Sequence, residues 1–355
     1  MIIRPSSVRP DIQCRAVIPQ TRRAAVFLAS ASLIAFVSLV PSVSFVRATG
    51  QDQALRSRVV SLASTSVAGG EQVPRFGARV DVVNISVTVT DRKGNLVDDL
   101  TLDDFEIYED GKKQTIRYFA AGDGDGQSVP PMHLGLMLDI SGSMGEDLGF
   151  TKTASIKFLN TLTDAVDITV VDFDTEVRAA RYSQNEFARL IERIRQKKAS
   201  GFTALYDAVG LYLDGASGQD GRKIMLIYTD GGDTRSAISF HDLMDLLKAS
   251  DVTVYPIGSL EHQPSSVKNQ QRMLLQQMAE VTGGQAFFPT AVKELDSVYE
   301  KVVAEIRAQY TVGYLSTNEK TDGSWRKVEI KMVRKEGRDL RVRSRKGYFA
   351  TFKKP

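Results

Sequence analysis

The chain has 355 residues, 42% apolar and 25% charged, the composition of a globular protein and not of a disordered or fibrous one. Cys14 is the single cysteine, which excludes an intrachain disulfide framework, Cys-ligated zinc and iron–sulfur clusters, and the three histidines His133, His241 and His262 stand too far apart for a zinc helix. The formal charge of +3 is uneven: residues 1–50 hold six Arg and one Asp, residues 51–317 are net −10 and residues 318–355 net +8. The positive excess therefore belongs to a leader and to a tail read as the solvated basic face of a strand-rich segment, and it implies no nucleic-acid partner.

Residues 24–46 carry no charge, follow Arg22-Arg23 and precede Ala48-Thr49-Gly50. A positive region, an apolar stretch and a small-residue site predict a secretory signal over 1–50, with an uncleaved N-terminal anchor as the alternative. Either reading places the rest of the chain outside the cytoplasm, secreted or in the periplasm or cell envelope, with membrane contact only through residues 24–46 if they are retained. Residues 51–75, rich in Ser, Ala, Gly and Gln, read as a flexible linker.

Alternation of Val83, Ile85, Val87 and Val89 with polar residues predicts a half-buried strand. Phe105 and Ile107, the turn Glu109-Asp110-Gly111, then Ile116 and Tyr118 predict a hairpin. Residues 76–120 thus form a first β segment, in which Asp98, Asp99, Asp103 and Asp104 read as turn and cap residues. Residues 121–131 are a Gly- and Pro-containing connection. From 132 to 308 strands and helices alternate. Leu134–Leu138, Ile168–Val171, Ile224–Tyr228, Val252–Ile257 and Ala286–Phe288 read as strands. Helix faces run through Ala154, Phe158 and Leu159, from Ser183 capped by Glu186 through Leu190 and Ile194, over Leu205 to Leu213, through Leu243, Leu246 and Leu247, over Met273 to Val281, and through Leu295 to Ile306. This alternation predicts an α/β fold, a doubly wound and mostly parallel sheet with helices on both faces. Residues 309–350 return to strands, before a short tail at 351–355. Too small to bury themselves alone, they are expected to pack on residues 76–120 as one β-sandwich-like domain, into which the α/β domain is inserted.

Ligands of open parallel sheets sit at the carboxyl ends of the strands. Three polar clusters fall there: Asp139-Ile140-Ser141-Gly142-Ser143, Gly201-Phe202-Thr203 and Thr229-Asp230-Gly231-Gly232-Asp233. They offer carboxylates and hydroxyls and no nitrogen or sulfur, the donor set of a hard cation such as Mg²⁺, Mn²⁺ or Ca²⁺. Spacing of i, i+2, i+4 lets one turning loop aim Asp139, Ser141 and Ser143 at a common point.

DISGS, the downstream Thr203 and TDGGD resemble the metal-ion-dependent adhesion site of von Willebrand factor type A domains, over roughly residues 132–313. VTVTDRKGNLVDDLTLDDFEIYEDGKKQTIRYF before that stretch and YTVGYL…VRSRKGYFA after it resemble the related family typified by acidobacterial secreted proteins. The resemblance implies that Ser141 and Ser143 ligate a divalent cation, most simply Mg²⁺, directly, and that Asp139, Thr203 and Asp230 do so directly or through water. It assigns Asp233 no role. The expected function is an extracytoplasmic, metal-dependent protein-binding module of adhesion type, which engages an Asp or Glu carboxylate of a protein partner. Alternatives are a structural or assembly protein of the cell envelope and, furthest from the residue pattern, a metal-assisted hydrolase. Neither Ser141 nor Ser143 has the Gly that a nucleophile elbow needs two residues earlier, and no phosphate-binding loop occurs, so no enzyme activity is expected.

Overall fold

The computed structural model describes residues 82–122, 130–162, 164–333 and 339–352. The leader, the 51–75 linker and most of the 121–131 connection lie outside them, and among the described residues no helix is long and apolar enough to cross a membrane.

A five-stranded sheet forms the centre of the α/β part. Its strands are β5 (Met132–Asp139), β6 (Ala165–Phe173), β7 (Val177–Ser183), β8 (Arg222–Thr229) and β9 (Val252–Gly258), in the order β7-β6-β5-β8-β9. The pairs β5·β6, β5·β8 and β8·β9 are parallel, and β7 is an antiparallel edge. The helices are α1 (Leu148–Thr161), α2 (Phe187–Gln196), α3 (Leu205–Ala216), α4 (Phe240–Ala249), α5 (Ser265–Thr282) and α6 (Leu295–Ala308). Strand β8 shows how the two faces divide. Ile224, Leu226 and Tyr228 pack with α1, α2 and α6, while Met225 and Ile227 pack with α3, α4 and α5. Both sides of the strand are buried, so its apolar residues run on without alternation.

Several expectations needed adjustment. Ala286–Phe288 makes a single bridge, Ile257 to Phe287, and no strand. The α5 helix begins eight residues before Met273, and Met273 is 52% exposed. On α4, Leu243 and Leu247 are buried but Leu246 is 42% exposed. The reversal at Asp110-Gly111, both at positive φ as a tight hairpin requires, pairs β2 (Phe105–Glu109) with β3 (Lys112–Gln114). Ile116 and Tyr118 instead belong to β4 (Ile116–Ala120), which crosses to another sheet.

The flanking strands interleave. β1 (Val82–Thr90) pairs antiparallel with β10 (Tyr310–Leu315) and β12 (Arg341–Ser344), in the sheet β12-β1-β10-β4. β11 (Trp325–Met332) pairs with β2 and with β13 (Gly347–Phe349), in the sheet β13-β11-β2-β3. Ile85, Val87, Tyr310 and Val312 of the first sheet share one core with Phe105, Ile107, Val328 and Ile330 of the second. Among the described residues, every strand that pairs with β1, and every strand that pairs with β2 outside the β2·β3 hairpin, lies beyond residue 309.

The basic tail is not simply a solvated face. Lys327, Lys331, Arg341 and Lys346 are exposed, but Arg326 is buried 3.6 Å from Glu109, itself buried and accepting from Tyr314, Tyr348 and Ser316. Arg343 donates to Glu305 of α6, to the Gly283 carbonyl (3.0 Å) and to Gln285 (2.6 Å). Glu305 also accepts from Tyr255 of β9 at 2.8 Å and from Thr88 of β1 at 3.4 Å. One buried carboxylate thus ties α6 and β9 to two strands of the flanking β unit. Glu305→Ala would leave the Arg343 guanidinium and Tyr255 hydroxyl without their acceptor. Urea unfolding of this variant is expected to show a loss of roughly 2–3 kcal/mol, reduced from a fully buried pair because Arg343 is partly exposed. A loss below about 0.5 kcal/mol, the scatter of ordinary surface changes, would contradict this role.

Candidate metal centre

Asp139 is the last residue of β5, the central strand, and is fully buried. Its Oδ1 accepts the Ser141 N–H at 2.9 Å and its Oδ2 accepts the Thr229 hydroxyl at 2.6 Å. The first bond turns the chain sharply off the strand into a short helical turn, Gly142–Met144, whose Met144 is fully buried beneath it. The turn brings the hydroxyls of Ser141 and Ser143 within 3.1 Å of each other. Ser141 is buried and Ser143 exposed, so the pair runs from the floor of the site to its rim.

The second cluster is fastened to the first through its backbone. Gly142 N–H donates to the Gly201 carbonyl at 3.1 Å, and Ser200 N–H donates to the Ile140 carbonyl at 2.8 Å. Gly201 has φ +76°, and a Cβ there would collide with the Thr175 hydroxyl, so the turn requires glycine. Thr203, 4% exposed, donates its N–H to Thr234 Oγ1 at 3.0 Å. Its carbonyl accepts the N–H groups of Thr234 (2.9 Å) and Arg235 (3.0 Å), binding the second cluster to the third.

In the third cluster Asp230, 5% exposed, accepts Gly232 N–H (3.2 Å) and the Gln263 amide (3.1 Å). Asp233 serves the loop: it accepts the Tyr206 N–H at the start of α3 (2.9 Å) and the Ser236 hydroxyl (2.6 Å). Asp207 does the reciprocal work from α3, accepting the N–H groups of Ala237 and Ile238. Thr229, which the sequence reading left without a role, joins the clusters by donating to Asp139 while accepting the Gly231 N–H at 3.0 Å. Gln263 and Thr234 were also missed, because their roles depend on contacts across the fold. His133 lies at the opposite end of β5, with Nδ1 3.1 Å from Asp167 and Nε2 3.0 Å from the Asp220 carbonyl.

The electrostatics are unusual. Burial pushes the Asp139 carboxyl up to about 7, and the nearby Asp230 adds to the shift, while hydrogen bonds from Ser141 and Thr229 oppose it. Among the described residues no Lys or Arg pairs with either Asp139 or Asp230. One strand away, Asp172 of β6 is equally buried but sits 2.5 Å from Arg193, 2.7 Å from Lys197 and 3.5 Å from Arg178. The fold neutralises one buried carboxylate with three cations and leaves the neighbouring pair with hydroxyls and amides.

The Asp139–Ser143 turn and the Asp230 loop thus follow adjacent parallel strands, β5 and β8, at the carboxyl edge of a doubly wound sheet. Residues 133–301 match the model of the von Willebrand factor type A domain, and this part of the chain is such a domain. Solved structures with a similar fold include a von Willebrand factor type A protein from Catenulispora acidiphila, 12% identical over 71% of this chain and 75% of that one (TM-score 0.41). Another is the vWF domain of the type V pili tip protein Mfa5 from Porphyromonas gingivalis, 12% identical over 50% and 97% (TM-score 0.42). The pilus adhesin SpaC from Lactobacillus rhamnosus GG is 10% identical over 70% and 48% (TM-score 0.43). No curated protein matches the chain.

An uncompensated buried carboxylate should weaken the chelator-treated protein, and a compensated one should strengthen it. Asp139→Asn is therefore expected to raise the melting temperature of protein held in chelator, and Asp172→Asn to lower it by several degrees. Differential scanning calorimetry decides between these outcomes. Equal destabilisation by the two variants would mean that Asp139 is stabilised by its surroundings as well as Asp172 is.

Proposed function

We propose that the domain is an extracytoplasmic protein-binding module that holds a divalent cation, most simply Mg²⁺, on Asp139, Ser141, Ser143, Thr203 and Asp230. The observation that carries this reading is the burial of Asp139 and Asp230 without a cationic partner among the described residues. A buried carboxylate is strongly unfavourable unless paired or metal-bound. The Ser141–Ser143 oxygen separation of 3.1 Å also fits. Metal–oxygen bonds of 2.0–2.1 Å in an octahedron give an edge of about 2.9 Å. Bound there, the cation supplies a positive charge with two carboxylates and neutral hydroxyls around it, a shell that a partner's Asp or Glu carboxylate completes.

The chain's own residues set this up. Thr229 and the Ser141 N–H fix the Asp139 carboxylate, Gln263 and the Gly232 N–H fix Asp230, and the Gly142–Gly201 bond keeps the hydroxyl loops in register. Prior placement of the donors lowers the ordering cost of binding. A binding role fits better than catalysis because Ser141 and Ser143 oxygens are paired with each other, and among the described residues neither is paired with a histidine.

Capture from the extracytoplasmic fraction of the source cells tests the reading. Wild-type protein in Mg²⁺ is expected to retain a partner that chelator, Asp139→Ala and Thr203→Ala each release, with circular dichroism unchanged in both variants. A partner retained equally under chelation and on Asp139→Ala would refute the metal bridge.

A further inference from the structure

The rim around the site has two chemically different sides. On one, Glu146 and Glu261 flank the exposed His262, with Glu146 Oε2 4.0 Å and Asp147 Oδ1 3.7 Å from the ring. The other side is apolar and basic. Phe202 is 63% exposed, directly before Thr203. The Phe202 N–H donates to Thr175 Oγ1 at 3.0 Å, and the residues on either side are held by the Gly201 and Thr203 backbone bonds already described, so the ring is presented on a fixed turn. Such exposure of a large aromatic on a rigid turn has no role in the core.

Basic residues adjoin this turn through the backbone. Arg235 is exposed, its N–H bonded to the Thr203 carbonyl at 3.0 Å, and among the described residues its guanidinium pairs with no carboxylate. On the other flank the chain runs from the basic C-terminal end of α2 through Lys197 and Lys198 into Ser200. Lys197 is spent on Asp172, but Arg195 and Lys198 are exposed and unpaired among the described residues. Lys152 of α1 is drawn beneath them by hydrogen bonds to the Arg195 and Lys197 carbonyls. Residues 51–317 are net acidic and would repel an anionic partner, so this local basic arc determines where one could approach.

Resting on the metal-bridge reading, we propose that the partner is an acidic peptide segment, whose metal-binding Asp or Glu is followed by an apolar residue seated on Phe202 and flanked by further acidic residues that face Arg235 and the exposed Arg195 and Lys198. Phe202 is then the residue that selects the side chain next to the bridging carboxylate. Aromatic residues, phenylalanine among them, and arginines are enriched in the cores of protein interfaces.

The test uses fluorescein-labelled peptides of Glu and Gly about ten residues long, with a central Asp-Leu pair. Controls replace Leu by Ala or every Glu by Lys, and binding is read by anisotropy in Mg²⁺. The Asp-Leu peptide is expected to bind tightest. Phe202→Ala should weaken it about tenfold while leaving the Asp-Ala peptide and the calorimetric Mg²⁺ affinity unchanged. Arg235→Glu should weaken both acidic peptides about threefold or more, and the effect should fade in high salt. The inference is overturned if Phe202→Ala keeps the Leu preference, if the Lys peptide binds as well as the Glu peptide, or if no peptide binds at roughly millimolar concentration. Binding that follows Phe202 and Arg235 but ignores chelation and Asp139→Ala would uphold the rim assignment and overturn the metal bridge.

Discussion

Two carboxylates buried side by side at the ends of β5 and β8, with no cationic side chain among the described residues to meet them, are the constraint around which the upper half of the domain is organised. Burial disfavours the charged form of Asp139 and the nearby Asp230 adds a smaller push, so that its carboxyl is raised to about 7. What keeps the pair in place is a set of neutral donors: Thr229 and the Ser141 N–H on Asp139, Gln263 and the Gly232 N–H on Asp230. The loops that carry these donors are also fastened to one another, through Gly142–Gly201 and Thr203–Thr234. The loops thus hold two buried carboxylates close together, with neutral donors and, among the described residues, no cationic side chain to relieve them.

The sheet beneath this crest is braced from outside. Helix α6 runs directly into β10, a central strand of the flanking unit, and Glu305 near the end of that helix accepts from β9, β1 and β12. Arg345 adds a bond to the Asn84 carbonyl at 2.8 Å and one to the Ser250 carbonyl. Arginine suits both positions because its several donors can satisfy carbonyls and a carboxylate at once. The strands before and after the α/β domain are thus not separate appendages: their buried polar groups grip the last helix and the β9 edge of the sheet.

Much of this was legible in the amino-acid order, and the limits have physical causes. The apolar runs at Leu134–Leu138 and Ile224–Tyr228 gave away parallel buried strands, and Ser183 with Glu186 marked the start of α2 through a local capping pattern that the structure contains. Gly283, at φ +83°, ends α5 where the sequence placed the stop. The DISGS and TDGGD runs were placed at the ends of strands because each directly follows an apolar run, which the structure has as β5 and β8. Strand β7 escaped notice because Val177–Ser183 alternates only weakly, with Arg178 and Arg181 among its residues. The inward turn of Arg326, Arg343 and Arg345 was invisible for a different reason. Whether an arginine faces water or a buried carboxylate is decided by partners such as Glu109 and Glu305, which lie far away in sequence. Thr229 was hidden in the same way: its hydroxyl matters only because β5 and β8 end side by side.

The claim on which the rest depends is that Asp139 and Asp230 are left uncompensated for a divalent cation. Isothermal titration calorimetry of the purified, chelator-treated protein with MgCl₂ and MnCl₂ tests it without any partner. The account predicts one site per chain on wild-type protein, lost in Asp139→Ala and in Asp230→Ala and unchanged in Asp233→Ala if that variant keeps its loop, as checked by circular dichroism. Absence of saturable heat with both cations on well-folded wild-type protein, or a site that survives Asp139→Ala, would contradict it.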